Sequence, residues 1–496
     1  PGESRMNLAV VIRATAGLCE VVKRHATGTP TLVVGCDARY GSSEFATAAC
    51  RVASAAGVRV LALPQANPTP LTSFSMLHFD ADAGVMVTAS HNPAPDNGYK
   101  VYLGGSVVQG DGRGVQIVPP FDAEIAAAIE VAPPADEVPM DDDLIEAVDP
   151  REEYVACASA LASGEASARE NLRIVLTAMH GVGAAITSRV LAEAGFSNVS
   201  LVAAQADPDP DFPTVPFPNP EEAGALDMAI EQAREQGADL IIAVDPDADR
   251  CALAVPDPTS ETGWSPLSGD QIGSLLGEFL ASRGMKGSLA NSIVSSRLLS
   301  RIARAHGLDH HTTLTGFKWI ARAPGLGFGY EEAIGFCPDP AHVRDKDGIA
   351  TSVVAASLVA SLKAQGRSVW DELERLARLH GLHVSSPLTF RVEQIEQIAS
   401  GMARLRAQPP SVLAGSPVVE VSDLSQGYRG LPPTDGVLVL TEAGDRVIAR
   451  PSGTEPKLKC YLEVILPVAG GEPLPWEQAR ERLDAIKGAF AGIIGL

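Results

Sequence analysis

The stretch 84–93 reads Gly84-Val85-Met86-Val87-Thr88-Ala89-Ser90-His91-Asn92-Pro93. Its first four residues form an apolar strand, and Asn-Pro sets a bend after it. The Ser90 hydroxyl is therefore expected at a strand end, where α/β folds carry ligand sites. His91 adjoins it. Asn97-Gly98-Tyr99-Lys100 follows and supplies a cation able to pair with a phosphate or to move a proton. Taken alone, these residues read equally well as a polar turn followed by a solvated lysine.

Working outward, the apolar run 31–35, the helix-period stretch 44–56 and the apolar run 58–62 alternate as α/β layers do. The rhythm recurs. A second block opens with the run 172–176 and ends with the strand 239–244, after a helix-like stretch at 221–236. A third opens at Ser268-Gly269-Asp270-Gln271, an N-cap signal leading into the helix 272–280. Residues 256–266, rich in Pro, Ser, Thr and Gly, read as a turn or linker. From about Ser386 the pattern changes to short strands at 388–392, 437–441, 446–449 and 457–464, with helix-like stretches at 394–406 and 476–493. The expected domains are 1–165, 166–266, 267–385 and a smaller α+β domain at 386–496, with a helix and loop around 123–139.

A second constellation, Asp245-Pro246-Asp247-Ala248-Asp249-Arg250, directly ends the strand at 244. Alternate residues of an extended chain share a side, so the three carboxylates are expected to converge on one hard cation, Mg²⁺. An EF-hand loop needs Gly and Glu where Arg250 and Pro256 stand, so it fails. A solvated acidic turn is the competing reading. Arg450-Pro451-Ser452-Gly453-Thr454-Glu455-Pro456-Lys457 offers donors suited to phosphate, against a plain hairpin loop. The Walker pattern is absent from the sequence. In Gly329-Tyr330-Glu331-Glu332-Ala333-Ile334-Gly335, paired glutamates suit vicinal sugar hydroxyls, and Lys346 follows for a substrate phosphate. A charged surface loop reads equally well there. His180-Gly181-Val182-Gly183 and Gly316-Phe317-Lys318 read individually as structural turns.

Composition narrows the classes. The chain has 496 residues, 45% hydrophobic and 20% charged, enough for three or four domains. No apolar run approaches the ~18 residues of a membrane span, and no basic-then-apolar leader opens the sequence. A net charge of -22 opposes nucleic-acid and anionic-membrane partners. The seven cysteines form no CxxC pair and read as reduced thiols. A cytoplasmic protein, monomeric or weakly homo-oligomeric, is expected.

In this order, the four segments resemble the α-D-phosphohexomutase family of phosphoglucomutases and phosphomannomutases, over essentially the whole chain. The resemblance implies three similar α/β domains and a smaller C-terminal α+β domain around a central cleft. It implies transfer of a phosphoryl group between C1 and C6 of a hexose phosphate (glucose or mannose) through phospho-Ser90, with a sugar 1,6-bisphosphate as intermediate and activator. Mg²⁺ would sit on Ser90, Asp245, Asp247 and Asp249, while Arg250 orients the Ser90 phosphate beside His91. Lys100 would transfer protons, with a pKa depressed by cationic surroundings. Glu331, Ala333, Lys346 and Lys318 would meet the sugar phosphate, and Arg450, Ser452, Gly453 and Thr454 its non-transferring phosphate. Two departures accompany the match. Ala333 replaces the serine of many members, as in the branch holding phosphopentomutases, which keeps a pentose phosphate open as substrate. The family's Gly- and Arg-containing segment before the stretch Arg5-Met6-Asn7 is missing from the first domain as given. The competing readings are a metal-dependent phosphatase, which a closed cleft opposes, and a non-enzymatic phosphosugar-binding protein, which the intact Ser90 and aspartates oppose.

Overall fold

Leu32, Val34 and Cys36 point to one face of their strand and Val33 to the other, and both faces are buried. Such two-sided burial requires helices above and below a mostly parallel sheet. The computed structural model, which describes residues 5–64, 66–392, 394–452 and 456–495, has this arrangement. Helices Leu8–His25 and Ser42–Ala55 cover one face of the first sheet, and Met76 from Thr69–His78 covers the other. Strand order is Val115–Gln116, Tyr99–Leu103, Ala83–Val87, Thr31–Cys36, Arg59–Ala62, Ile145–Ala147. The last four are parallel, whereas Tyr99–Leu103 returns antiparallel to Ala83–Val87.

The second sheet repeats the plan. Leu240–Val244 runs parallel to Arg173–Thr177 and is followed by the antiparallel strand Cys251–Pro256. In the third block, Leu326–Glu331 turns back antiparallel into Gly335–Cys337. Each of the segments around Ser90, Asp245 and Glu331 is thus the tip of a hairpin leaving an inner strand. Behind the second and third of these lies Gly348–Ala364, an apolar helix buried on nearly every side between Ala184–Glu193 and Gly269–Ser282.

Two expected elements differ. The helix of the second block begins only at Asp227 and runs to Gln236. Pro218 and Pro220 break the chain before it, and Gly224 takes φ 83°, so residues 221–226 form turns. Of the two readings for 256–266 the turn holds and the linker fails, because Trp264–Pro266 pairs back onto 254–256 as a hairpin and buries Trp264. The cysteines are unpaired, and all but Cys157 are buried. Among the described residues no single helix is long and apolar enough to cross a membrane.

Two compact units divide the chain: Pro1–Ala290 with Gly316–Ser368, and Asn291–Thr315 with Val369–Leu496. The second unit carries an antiparallel sheet ordered Leu382–Arg391, Lys457–Leu466, Arg446–Pro451, Val437–Thr441, Ser416–Asp423, Val412–Leu413. Helices Ile395–Ala407 and Trp476–Ile494 cover one face through Met402, Leu405, Leu483 and Phe490. Ile293 and Val294 pack with Leu438 and Ile448 on the other.

Candidate active site

Val87 pairs with Tyr99 and Met86 with Lys100, so the Ala83–Val87 hairpin brings Ser90 and Lys100 to one end of the sheet. The hairpin closes with Thr88 N–H on the Gly98 carbonyl. A Cβ at Gly98 would stand 2.5 Å from the Thr88 oxygen, which is why glycine is required. Ser90 takes φ 52°, a left-handed conformation, and its N–H donates to Thr88 Oγ1 at 2.9 Å. In this pose its Oγ donates to Asp245 Oδ2 at 2.8 Å and lies 3.3 Å from His91 Nδ1. Burial, with Arg250 adding repulsion, pushes the His91 imidazole down to about 3, so it is neutral near pH 7.

Asp245, Asp247 and Asp249 are fully buried, and their carboxylate oxygens lie within 4.8 Å of one another. The convergence comes from a tight turn rather than extended alternation. Ala248 N–H bonds the Asp245 carbonyl and Ala248 takes φ 56°. His180-Gly181-Val182-Gly183 props this turn: Val182 N–H donates to the Pro246 carbonyl, and a Cβ at Gly181 would meet Pro246 at 2.3 Å.

Cations answer the three acids. Lys100 Nζ donates to Asp247 Oδ2 and Asp249 Oδ2, each at 2.7 Å, and Lys346 Nζ lies 3.2 Å from Asp249 Oδ2. Arg250 N–H donates to Asp245 Oδ1 at 2.9 Å. Burial opposes the Lys100 charge, but Asp247 and Asp249 outweigh it and hold its pKa well above the ordinary lysine value. The depressed pKa expected of Lys100 is thereby overturned, because its nearest neighbours are carboxylates. Burial also raises Asp245, reinforced by Asp247 and Asp249. For Asp247 burial is overcome by Lys100 and Thr69, which hold it below the usual carboxylate range.

Asp247 Oδ1 and Asp249 Oδ1 are buried without a hydrogen-bond partner. Two orphaned carboxylate oxygens beside a third carboxylate and a serine hydroxyl make an all-oxygen donor set, which fits a hard divalent cation.

The remaining predicted residues fall in two groups. The Arg250 guanidinium donates to the Ala333 carbonyl at 3.2 Å, and its backbone bridges Gly335, so it joins the aspartate loop to the 331–335 loop. Glu331 is buried at its strand end, and a Cβ at Gly335 would meet both Glu331 Cγ and Lys346 Cδ. Lys318 sits half-buried in the one-turn helix Phe317–Ile320. Arg450 and Ser452 lie in the second unit, where Ser452 N–H donates to the Lys457 carbonyl. Gly453 and Thr454 fall outside the described residues.

The family described as phosphoglucomutase/phosphomannomutase matches this chain with all four of its domains. Domain I covers residues 1–133, domain II 152–259, domain III 268–379 and the C-terminal domain 391–465. A Haemophilus influenzae protein named probable phosphomannomutase is 43% identical over 92% of this chain and 93% of its own length. The chain belongs to the phosphoglucomutase/phosphomannomutase family. Human phosphopentomutase is 31% identical over 99% of this chain and 86% of its own length. The crystal structure of pp63/parafusin, a phosphoglucomutase from Paramecium, shares the fold with a TM-score of 0.76 at 18% identity, covering 100% of this chain and 95% of that one.

Two supports escaped the sequence reading. Thr69, first residue of its helix, donates its Oγ1 to Asp247 Oδ2 at 2.6 Å and its N–H to the Asp247 carbonyl. Asp37 accepts from Thr88 Oγ1 and Ser42 Oγ, both at 2.6 Å, and Arg39 lies under the Ser90 loop. Asp37-Ala38-Arg39, charged residues directly ending an apolar strand, was the available signal.

Proposed function

We propose that the protein moves a phosphoryl group between C1 and C6 of glucose or mannose phosphate, with Ser90 as the carrier and a sugar 1,6-bisphosphate as the bound intermediate. The enzyme is an isomerase of the phosphosugar mutase type. The observation that carries the reading is the 2.8 Å contact from Ser90 Oγ to Asp245 within a cluster that keeps two carboxylate oxygens free.

Asp245, Asp247 and Asp249 would hold Mg²⁺ with Ser90, and the ion, when bound, withdraws charge from the phosphoryl group. Lys100, held protonated, neutralises the transferring group, supplies a proton to the oxygen it leaves and regains one from the hydroxyl that attacks, so that the proton of the acceptor ends on the donor oxygen. Phosphoryl transfer through a loose transition state asks for positioning and charge more than for a strong base, so an ammonium suits it. Glu331 and Lys346, beside the Ala333 turn, are the candidate contacts for sugar hydroxyls and phosphate. Lys318, Arg450, Ser452, Gly453 and Thr454 are assigned to phosphate on the resemblance of their motifs alone. A pentose phosphate is the second reading, favoured by Ala333 and by the human phosphopentomutase match.

Glucose 1-phosphate, mannose 1-phosphate and ribose 1-phosphate, each supplied with Mg²⁺ and a catalytic amount of the cognate sugar bisphosphate, separate these readings by their products. Conversion of a hexose phosphate that is abolished in Ser90→Ala is expected. Undiminished turnover in Ser90→Ala would refute the carrier role, and preferred conversion of the pentose phosphate would move the substrate to the second reading.

A further inference from the structure

Arg39 belongs to none of the loops that meet the metal or the sugar, yet its side chain is 1% exposed. Withdrawing a guanidinium from water is costly unless hydrogen bonds and a countercharge offset it. Here Nη2 donates to the carbonyls of Ser90 and Asn92 at 2.6 Å each, and Nη1 to those of Pro93 at 2.9 Å and Asp96 at 3.3 Å. Asp37 Oδ2 lies 3.4 Å from Nε and supplies the countercharge. The Phe212 ring covers the guanidinium, 4.9 Å from its carbon, and closes it from solvent.

All four carbonyls belong to the loop that carries Ser90. Without this fork they would have to find water or other donors, and the strained left-handed Ser90 backbone would relax. We propose that Arg39 is a positioning residue for phosphoryl transfer: by gathering these carbonyls it fixes the Ser90 loop in the pose that aims Oγ at Asp245. The trans peptide after Ser90 opposes its C=O and N–H. With the Ser90 carbonyl on Arg39, the His91 N–H faces the other way. The inference rests on Ser90 being the phosphoryl carrier.

Arg39→Lys keeps the charge and loses the fork, since one ammonium cannot serve four carbonyls. Phe212→Leu keeps Arg39 and removes only its cover. Turnover, melting temperature and the ³¹P resonance of phospho-Ser90 are measured for both beside Ser90→Ala. Arg39→Lys is expected to lower kcat about 10²-fold with KM unchanged, the scale of a misplaced reacting group, and to shift the ³¹P resonance. Phe212→Leu is expected to lower kcat about tenfold with the same split. Wild-type kcat and an unshifted resonance in Arg39→Lys, or a loss residing in KM, overturns the proposal. Should Arg39→Lys fail to fold, wild-type kcat in Phe212→Leu overturns it. An active Ser90→Ala would instead defeat the carrier reading, whereas an inactive Ser90→Ala beside a fully active Arg39→Lys defeats the positioning role alone.

Discussion

Lys100 spans Asp247 and Asp249 while each of those residues keeps one oxygen free. It therefore both balances the acids and competes with a cation for them. Lys100→Met should separate these effects. With the Lys100 bonds gone, only Thr69 on Asp247 Oδ2 and Lys346 beside Asp249 Oδ2 still compete, among the described residues, for these oxygens. Mg²⁺ binding measured by calorimetry is therefore expected to tighten, while kcat falls about 10²–10⁴-fold for want of the proton and charge proposed for Lys100. Weaker Mg²⁺ binding in that variant would show that Lys100 organises the site rather than competing for it. Ser90 and the three aspartates were legible in the sequence because each group ends an apolar strand and carries its chemistry within six residues. The state of Lys100 was not legible, because its partners lie 147 and 149 residues away and are acids. Thr69 was missed for the same reason, its partner Asp247 lying 178 residues away; Arg39 stands in a charged strand end that could have been read, but the Ser90 carbonyl it binds lies 51 residues on.

Among the elements, the hairpin is the unit that repeats. Inner strands ending at Val87, Val244 and Glu331 each turn back antiparallel, which places short polar loops at corresponding ends of successive sheets. The apolar-run rhythm made the inner strands ending at Val87 and Val244 readable, whereas the strands Trp264–Pro266 and Gly335–Cys337, three residues each, are too short to show a period. In the second unit, strand Lys457–Leu466 carries a buried acid that no periodicity marks. Glu463 accepts from Ser296 Oγ at 2.7 Å, from Arg297 N at 2.8 Å and from Arg297 Nε at 2.6 Å, with Arg446 at 3.3 Å and His383 at 3.1 Å. Burial raises its pKa, but Arg446, His383 and Arg297 overcome this and hold it well below the ordinary glutamate value. A depressed folded pKa contributes stability that is complete above the unfolded value, near 4.3, and is lost as pH falls below it. Glu463→Gln leaves buried cations uncompensated and is expected to cost about 3–5 kcal/mol at pH 7. In denaturant melts, the gap between variant and wild type should narrow as pH drops below about 4. A gap that stayed constant would show that the carboxylate charge contributes nothing.

At the scale of the molecule, contacts and sequence divide the chain differently. Residues 268–379 match one family domain, yet Asn291–Thr315 clusters with the C-terminal unit. The reason lies in named bonds within that unit. Arg446 donates to the carbonyls of Ile293, Val294 and Ser295, Glu463 binds Ser296 and Arg297, and Ile293 and Val294 fill the apolar space against Leu438 and Ile448. A sequence reading places its boundary where composition changes, near Ser386, because these bonds span more than 150 residues and leave no local trace. Cooperative opening follows contacts rather than chain order. In native-state hydrogen exchange of the whole chain, amides of 293–297 are therefore expected to open together with those of 437–441, not with 326–331. Glu463→Gln sharpens the comparison, since it should lower protection in 293–297 and 437–441 together and leave 326–331 unchanged. Protection of 293–297 that instead followed 326–331 would return Asn291–Thr315 to the unit its sequence position suggests, and would make the buried Glu463 cluster a local contact rather than the bond that defines the second unit.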